Sequence, residues 1–193
     1  MYEFIQGEIA ELNPAMVIVQ TGGIGFCIHI SLNTYSALNG KKQFKILTHQ
    51  IVRDDAHLLY GFATSAEREL FRNLLSVNGV GASTALMMLS SLSPDEISMA
   101  IAGNNVNLLK SVKGIGLKTA QRIIIELKDK VGKATSGEQI LVPSDNTILN
   151  EALSALVMLG FTKKDAEPAL EKIIREHPGS NLETVIKLTL KRL

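Results

Sequence analysis

The sequence predicts a multidomain α+β protein in which a small five-stranded β barrel is followed by two helical domains. Three observations lead to this prediction. Up to about Phe62 the apolar residues form short β-rich runs, and after Thr64 they recur at the spacing of helices. A later stretch has no sustained period and is rich in turn and linker residues. We therefore expect a barrel over 1–64, a helical domain over 65–131, a flexible linker over 132–146 and a three-helix domain over 147–193.

The first region contains five β-rich runs, at 4–5, 16–19, 26–30, 44–47 and 57–60. Turn residues separate them at Asn13-Pro14, Gly22-Gly23 and Asn39-Gly40, and the tight second link predicts a hairpin. Five short strands in about sixty residues favour a closed barrel such as an OB-fold, because closure removes exposed strand edges. An immunoglobulin-like sandwich fits this length less well.

Helix signals mark the rest of the chain. A helix begins near Ser65, and Ser93-Pro94-Asp95-Glu96 provides a capping serine, a proline at the first helical position and a glutamate three residues after the cap. In the last domain three segments have helical spacing, at 148–159, 163–176 and 182–193. We interpret their apolar residues mainly as core.

Composition predicts a folded protein. Of the 193 residues, 46% are hydrophobic and 20% are charged, which is ordinary for a globular chain. The N-terminus lacks the features of a signal peptide, and no apolar run approaches the length of a membrane span. The single cysteine, Cys27, lies in an apolar stretch, where we expect a small buried side chain. We expect a cytoplasmic protein without an internal disulfide.

The formal net charge of +1 shows no overall basic character, so any nucleic-acid surface must be local. Residues 1–64 carry 4 basic and 5 acidic side chains, residues 65–131 carry 8 and 6, and residues 132–193 carry 8 and 8. A basic surface is therefore expected in the middle third of the chain.

The middle region contains an internal repeat with an offset of 114 minus 79, or 35, residues. Val77-Asn78-Gly79-Val80-Gly81 matches Val112-Lys113-Gly114-Ile115-Gly116. The similarity extends to the flanking pairs Leu74 and Leu109, Thr84 and Thr119, and Ala85 and Ala120. Each copy therefore consists of a helix, a Gly-apolar-Gly turn and a second helix. Two copies in tandem resemble the paired helix-hairpin-helix motif of DNA-binding proteins.

The hairpins are predicted to bind phosphates. Glycine adopts left-handed conformations and lets a phosphate approach without a Cβ in the way, and the next helix begins with free amides and the positive end of its dipole. Lys118 and Arg122, four residues apart, add charge on one helix face. The predicted DNA-binding residues are Gly79, Gly81, Ser83, Thr84, Lys113, Gly114, Gly116, Lys118, Thr119 and Arg122. Because such contacts hold the backbone and read no base, we expect sequence-independent binding.

Other chemistry fits these motifs less well. One Gly-x-Gly turn alone would be interpreted as a connector between packed helices, and only the tandem pair favours DNA. The run from Gly114 to Thr119 lacks the Gly-Lys-Thr or Gly-Lys-Ser end of a P-loop, and neither hairpin has the third glycine of a dinucleotide fingerprint. The histidines are dispersed, at His29, His49, His57 and His177. We therefore predict no metal site, no cofactor and no catalytic residue.

The order of the whole chain resembles the RuvA family of Holliday-junction-binding proteins. The segment 52–62, VRDDAHLLYGF, is similar to the stretch that carries the family's acidic pin. By this resemblance Asp54 and Asp55 form the pin, a homotetramer assembles around the junction centre, and the glycines of both hairpins hold the four arms. From the residues alone, Asp54-Asp55 would be a solvated turn between strands.

The resemblance also implies partners. The chain is expected to bind four-way junction DNA and to recruit a RuvB-type AAA+ motor ATPase through 147–193, for branch migration in recombination and DNA repair. A junction resolvase is a further partner that it suggests, and it leaves open whether one or two tetramers hold a junction. Ser83 and Leu117 occupy positions where family members often have lysine. The residues left to supply charge are Lys110, Lys113, Lys118 and Arg122.

Two other functional classes stay open. A helix-hairpin-helix base-excision enzyme would need a catalytic Asp or Lys beyond the hairpin and a base-sized pocket, and neither hairpin has the proline-containing form of those enzymes. A protein-interaction scaffold would use the hairpins as helix connectors and the last domain as a ubiquitin-associated-like module. Binding to a four-way junction, to plain duplex or to no DNA separates the three classes.

Overall fold

The computed structural model describes residues 2–134 and 145–193, which form two compact units. The N-terminal unit contains a closed barrel and the helices that follow it. The C-terminal unit is helical. The predicted α+β fold class and the order of its parts are confirmed.

Five strands form the barrel, β1 (Phe4–Asn13), β2 (Met16–Thr21), β3 (Ile24–Ile30), β4 (Gln43–Val52) and β5 (His57–Phe62). They close in the order β1-β2-β3-β5-β4, and the β3–β5 pair is parallel. The predicted hairpin joins β2 and β3, where Gly22 and Gly23 have φ angles of 55° and 85°. Positive φ at both turn residues matches the twist of the strands, which is why glycine suits this turn.

Side chains that alternate along each strand fill the interior of the barrel. Val17 and Val19 on β2 and Ile28 and Ile30 on β3 are buried, so the residues between them point outward. Cys27 directly precedes Ile28 and also points outward, and the prediction that it is buried is wrong because its side chain is exposed. An apolar run does not reveal which face of a strand each residue takes, since successive side chains point in opposite directions.

A helix that the β-rich pattern did not predict, α1 (Leu32–Leu38), lies between β3 and β4. Ser31 caps its N-terminus by accepting a hydrogen bond from the amide of Thr34 at 3.0 Å. Ser31 and Thr34 are fully buried. With 7 residues, α1 is too short to produce a recognisable helical period.

Five helices follow the barrel, α2 (Ser65–Leu75), α3 (Ala82–Ser91), α4 (Pro94–Ala102), α5 (Val106–Lys110) and α6 (Leu117–Ala134). The predicted cap of α4 is confirmed: Ser93 Oγ accepts from the amide of Glu96 at 3.2 Å, and Glu96 Oε2 accepts from the amide of Ser93 at 2.8 Å. The Ser93 amide and the Ser93 hydroxyl both donate to Glu96 Oε2, and these two bonds lower the pKa of the Glu96 carboxyl. The reciprocal pair determines where α4 begins.

The helices share a hydrophobic core with strand β5, while the barrel interior has a core of its own. The ring of Phe71 on α2 is fully buried, and its centroid lies 5.2 Å from that of Tyr60 and 4.9 Å from that of Phe62 on β5. Apolar residues of α3 to α6 continue the same core. The predicted boundary at residue 64 therefore marks a change of secondary structure inside one packed unit.

The C-terminal unit consists of α7 (Asp145–Met158), α8 (Lys163–Glu176) and α9 (Leu182–Leu190), as the helical spacing predicted. Its core is Ala152, Leu156, Ala166, Leu170, Ile173 and Val185. The two ends of the predicted linker 132–146 lie in α6 and α7, and the rest of it lies outside the described residues. Gly132 does not end α6, because one glycine weakens a helix interior by only about 1 kcal/mol.

Candidate nucleic-acid interface

The two Gly-apolar-Gly turns have the same backbone geometry. Gly79, between α2 and α3, has a φ angle of 90°, and Gly114, between α5 and α6, has a φ angle of 91°. L side chains rarely adopt such angles, so both turns favour glycine at these positions. The sequence repeat is therefore also a structural repeat.

Each turn is anchored to the core by the apolar residue between its glycines. Val80 and Ile115 are only 6% and 5% exposed, so both side chains are buried in the core. Their amides donate to the carbonyls of Val77 and Val112, each at 3.1 Å. All four residues belong to the core that the helices share with β5, so both turns are held by packed side chains.

The outer face of each hairpin is open. A Cβ built on Gly79, Gly81, Gly114 or Gly116 would meet no protein atom within 4 Å. α3 begins directly after Gly81 and no side chain caps it, so the amides of its first turn are free for an external acceptor. α6 begins directly after Gly116 in the same way. Space, amides and helix dipole combine at both turns to suit a phosphate oxygen.

The second hairpin is locally basic although the chain as a whole is not. From residue 97 to residue 125 the sequence contains no acidic residue, and its charged residues are Lys110, Lys113, Lys118 and Arg122. All four are exposed. Lys118 and Arg122 lie one turn apart on α6, and Thr119 between them is half-buried. This clustering agrees with the predicted basic surface in the middle third of the chain.

The first hairpin carries little charge. Between Glu69 and Asp95 the only charged residue is Arg72, and its Nη2 faces the Glu3 carboxylate of the barrel at 3.6 Å. Ser83 is exposed and Thr84 is half-buried at the start of α3. Within the repeat, phosphate contacts at this hairpin would therefore rest on amides and hydroxyls. The fold adds one lysine beside it from α6, since Lys130 Nζ donates to Ser76 Oγ at 3.1 Å.

Replacement of Gly116 tests the open face without straining the fold, because Gly116 has no positive φ and no neighbour in the way of a Cβ. We expect Gly116→Val to lower the free energy of unfolding by no more than about 1 kcal/mol. Binding to every DNA should weaken by about tenfold or more, since the side chain occupies space that a phosphate needs. Thermal unfolding and anisotropy of labelled duplex and junction measure the two effects.

Matched variants separate strain from contact. Gly114→Val should weaken DNA binding and also cost about 1–3 kcal/mol of stability, because of its φ of 91°. Gly40, exposed on the barrel with a φ of 76° and free surroundings, is the control: Gly40→Val has comparable strain and should leave DNA binding unchanged. Lys118→Ala should weaken DNA binding less than Gly116→Val. It should also reduce the slope of log affinity against log salt concentration by roughly one unit per lost phosphate contact. If Gly116→Val binds DNA as tightly as the wild type, the second hairpin is not part of the DNA interface.

The acidic pair forms the tip of the β4–β5 hairpin. The amide of Arg53 donates to the carbonyl of Ala56 at 2.8 Å, and the return bond is 3.4 Å long, so Asp54 and Asp55 are the two central turn residues. Both are exposed. Because β5 also supplies residues to the core beneath the hairpins, this tip projects from the same packed unit.

An apolar ridge at the end of α7 is exposed in the C-terminal unit. Val157, Met158 and Leu159 are 47%, 89% and 61% exposed, and we call these three residues the α7 ridge. Helical spacing predicted mainly core residues here. Leu159 differs because α7 ends at Met158 and the chain turns at Gly160, whose φ is 101°. Spacing alone could not reveal this surface, since it does not show which residues the turn carries away from the core.

Residues 2–134 and 145–193 contain neither a cluster of metal-ligating side chains nor a membrane-spanning helix. No three side chains of the types His, Cys, Asp and Glu lie close enough together there to hold a metal ion. No helix in those ranges is long and apolar enough to cross a membrane.

A closed five-stranded barrel whose last strand packs into the core of two helix-hairpin-helix turns defines a barrel protein of the tandem helix-hairpin-helix class. Family models match three parts of the chain: the RuvA N terminal domain at 1–61, the SAM-like helix-hairpin-helix tandem at 71–129 and the RuvA C-terminal domain at 147–193. The chain belongs to the RuvA family.

Relatives from several bacteria resemble the whole chain. A protein of Christiangramia forsetii is 48% identical over 193 residues, one of Bacteroides thetaiotaomicron is 47% identical over 201 residues, and one of Bacteroides fragilis is 49% identical over 201 residues. Each alignment covers 100% of this chain and 100% of the relative. All three relatives are named Holliday junction branch migration complex subunit RuvA.

Proposed function

We propose that this chain is a subunit of a branch migration complex that binds four-way (Holliday) DNA junctions by structure and independently of sequence, in recombination and DNA repair. The observation that carries the proposal is the pair of open hairpins with φ angles of 90° and 91°, held in one core with strand β5, which follows the acidic turn. The name of the full-length relatives supports it.

Each hairpin binds the backbone of a DNA arm. A phosphate oxygen accepts hydrogen bonds from the amides that follow Gly81 and Gly116, and the glycines let it come close. Lys113, Lys118 and Arg122 add positive charge beside the second hairpin. None of these groups reads a base edge, so the shape of the DNA decides what is bound.

The acidic turn makes the binding selective for a junction. Asp54 and Asp55 lie beside the crossing point of the strands, where their carboxylates repel phosphates. A continuous duplex would place its backbone there, whereas an open junction directs its four arms outward. Selectivity therefore comes from repulsion at the centre as well as attraction along the arms.

Four subunits form a homotetramer around the junction, and one or two such tetramers hold it. Eight hairpins of one tetramer then act together, so each contact can be weak. After the first arm is bound, later contacts are intramolecular and form at a high effective concentration. This compensates for the low charge of the first hairpin.

The C-terminal unit recruits the motor. Residues 147–193 match the RuvA C-terminal domain, and the α7 ridge is their most exposed apolar feature, with Met158 at 89%. We assign the ridge to the docking of a RuvB-type AAA+ ATPase, because exposed apolar side chains at a helix end suit a protein interface. ATP hydrolysis belongs to that partner, and this chain acts without catalysis or cofactor in the cytoplasm. A junction resolvase is a further partner of the assembled complex.

A gel-shift comparison tests the proposal. The full chain is titrated against a four-way junction, a duplex of equal length and no DNA, with and without magnesium, and each lane is examined for cleavage. We expect retention of the junction at concentrations at least about tenfold below those needed for duplex, without cleavage. No binding to either DNA would favour the protein scaffold, and equal affinity for both would contradict selective binding of the junction. Cleavage or base loss would favour the excision enzyme.

A further inference from the structure

Glu67, in the first turn of α2, is a buried carboxylate. The residue is 2% exposed, and among the described residues no Lys or Arg lies within 4.0 Å of its oxygens. Burial of a carboxylate without an ionic partner is unfavourable unless hydrogen bonds replace the lost water. Glu67 therefore depends on the donors that surround it.

These donors come mainly from the barrel. The hydroxyl of Ser31 donates to Oε1, and the hydroxyl of Thr34 donates to Oε2 at 2.7 Å. The amide of Ala63 donates to Oε2 at 3.3 Å and to Thr34 Oγ1 at 3.1 Å. The amide of Thr34 donates to Ser31 Oγ at 3.0 Å. The network joins the start of α1, the β5–α2 link and α2.

The local sequence offers Glu67 a different partner. Thr64-Ser65-Ala66-Glu67 has the Ser/Thr-x-x-Glu pattern of a capping box, in which the glutamate bonds back to the amide of the cap residue. Ser93 and Glu96 form that complete box at α4. At α2 only half of it forms: Thr64 Oγ1 accepts from the Glu67 amide at 3.2 Å, while the carboxylate bonds to Ser31, Thr34 and Ala63 instead. The Glu67 carboxylate therefore bonds to the barrel and does not cap its own helix.

α1 also holds the helix on the other side of the first hairpin. Asn33 Nδ2 donates to the carbonyls of Leu89 at 2.7 Å and Leu92 at 3.1 Å, at the C-terminal end of α3. The amide of Leu32 donates to Ser90 Oγ at 3.1 Å. Since α2 enters the first hairpin and α3 leaves it, both of its helices are fastened to one short helix of the barrel.

We propose that Glu67 is a positioning residue for junction binding, which through α1 holds the first hairpin at a fixed orientation to the barrel and its acidic turn. The inference rests on the proposed function. A junction must be met by the hairpins and the acidic turn at the same time, whereas a duplex arm needs only a hairpin. A fixed orientation lowers the entropy lost on binding the junction and makes no difference to a duplex.

The test is Glu67→Gln in the full chain, which keeps the size of the side chain and replaces charge-assisted hydrogen bonds with weaker neutral ones. Glu69→Gln is the matched control, because Glu69 is exposed on the same helix and loses the same charge. Well below the unfolding temperature, we expect Glu67→Gln to weaken junction binding about three- to tenfold and to change duplex binding by less than about twofold. The control should match the wild type in both.

The outcomes are distinct. If Glu67 has a purely structural role, Glu67→Gln lowers the affinities for junction and duplex together, in proportion to the folded fraction. An unchanged ratio of junction to duplex affinity would therefore overturn the proposal. If the wild type itself does not prefer the junction, the proposed function fails, whatever Glu67 does. If Glu67→Gln does not fold, Asn33→Ala cuts the other connection of α1 and must show the same loss at the junction alone. Wild-type ratios in Asn33→Ala would then overturn the proposal.

Discussion

A chain that ends at Ala134 is expected to bind four-way junctions within about twofold of the full chain and to support no motor-driven branch migration. The hairpins, the acidic turn and their shared core all precede this end, and α6 stays complete, whereas a stop at Val131 would shorten it. The proposed motor-binding surface is removed. Anisotropy of a labelled junction measures the first activity. A branch-migration assay with a RuvB-type ATPase and ATP measures the second.

One substitution in the full chain sharpens this test. Met158→Glu places a charge in the α7 ridge at a residue that is 89% exposed, so little core packing is lost. We expect motor binding, measured by calorimetry, to weaken about tenfold or more while junction binding is unchanged. Met99→Glu, at a residue 65% exposed in the N-terminal unit, is the control. A chain of residues 147–193 should bind the motor without DNA. Full branch migration by the shortened chain would contradict this division of labour.

The order of folds could be predicted because each part leaves its own period in the sequence. Val17 and Val19 alternate with outward residues, as a barrel strand requires. The hairpins were predictable for another reason, since a glycine at 79 and at 114 with an apolar residue after it reports both a positive φ and a buried plug. The repeat made this signal strong, because two copies are far less common by chance than one.

Other features depend on tertiary contacts that leave no local signal. α1 is short and lies among β-rich runs, so its sequence does not stand out. Glu67 and Glu96 follow the same capping pattern, yet one carboxylate caps its helix and the other bonds to the barrel. The difference arises because Ser31 and Thr34, more than thirty residues away, are brought beside Glu67 only by the fold.

Conversion of Asp54 and Asp55 to asparagine is expected to raise affinity for plain duplex more than affinity for the four-way junction. Asparagine keeps the size and turn preference of aspartate, so the hairpin between β4 and β5 should persist while two negative charges per subunit disappear. The repulsion that excludes a continuous duplex from the centre is then lost. At low salt we expect a gain of about tenfold for duplex, or ~1.4 kcal/mol, and a smaller gain for the junction.

The salt dependence and a charge-matched control make this interpretation specific. Exposed carboxylates act over about 10 Å at 0.1 M salt and over less at higher salt, so the change in selectivity should shrink as salt is raised. Glu8→Gln/Glu11→Gln removes the same charge from exposed positions of β1 and should leave the ratio of junction to duplex affinity unchanged. Asp54→Asn/Asp55→Asn also differs from Glu67→Gln, because the first lowers the ratio of junction to duplex affinity by strengthening duplex binding and the second by weakening junction binding. If Asp54→Asn/Asp55→Asn leaves the ratio of junction to duplex affinity unchanged at every salt concentration, the acidic pair is only a solvated turn. A charged group at the centre of the junction must affect which DNA fits there.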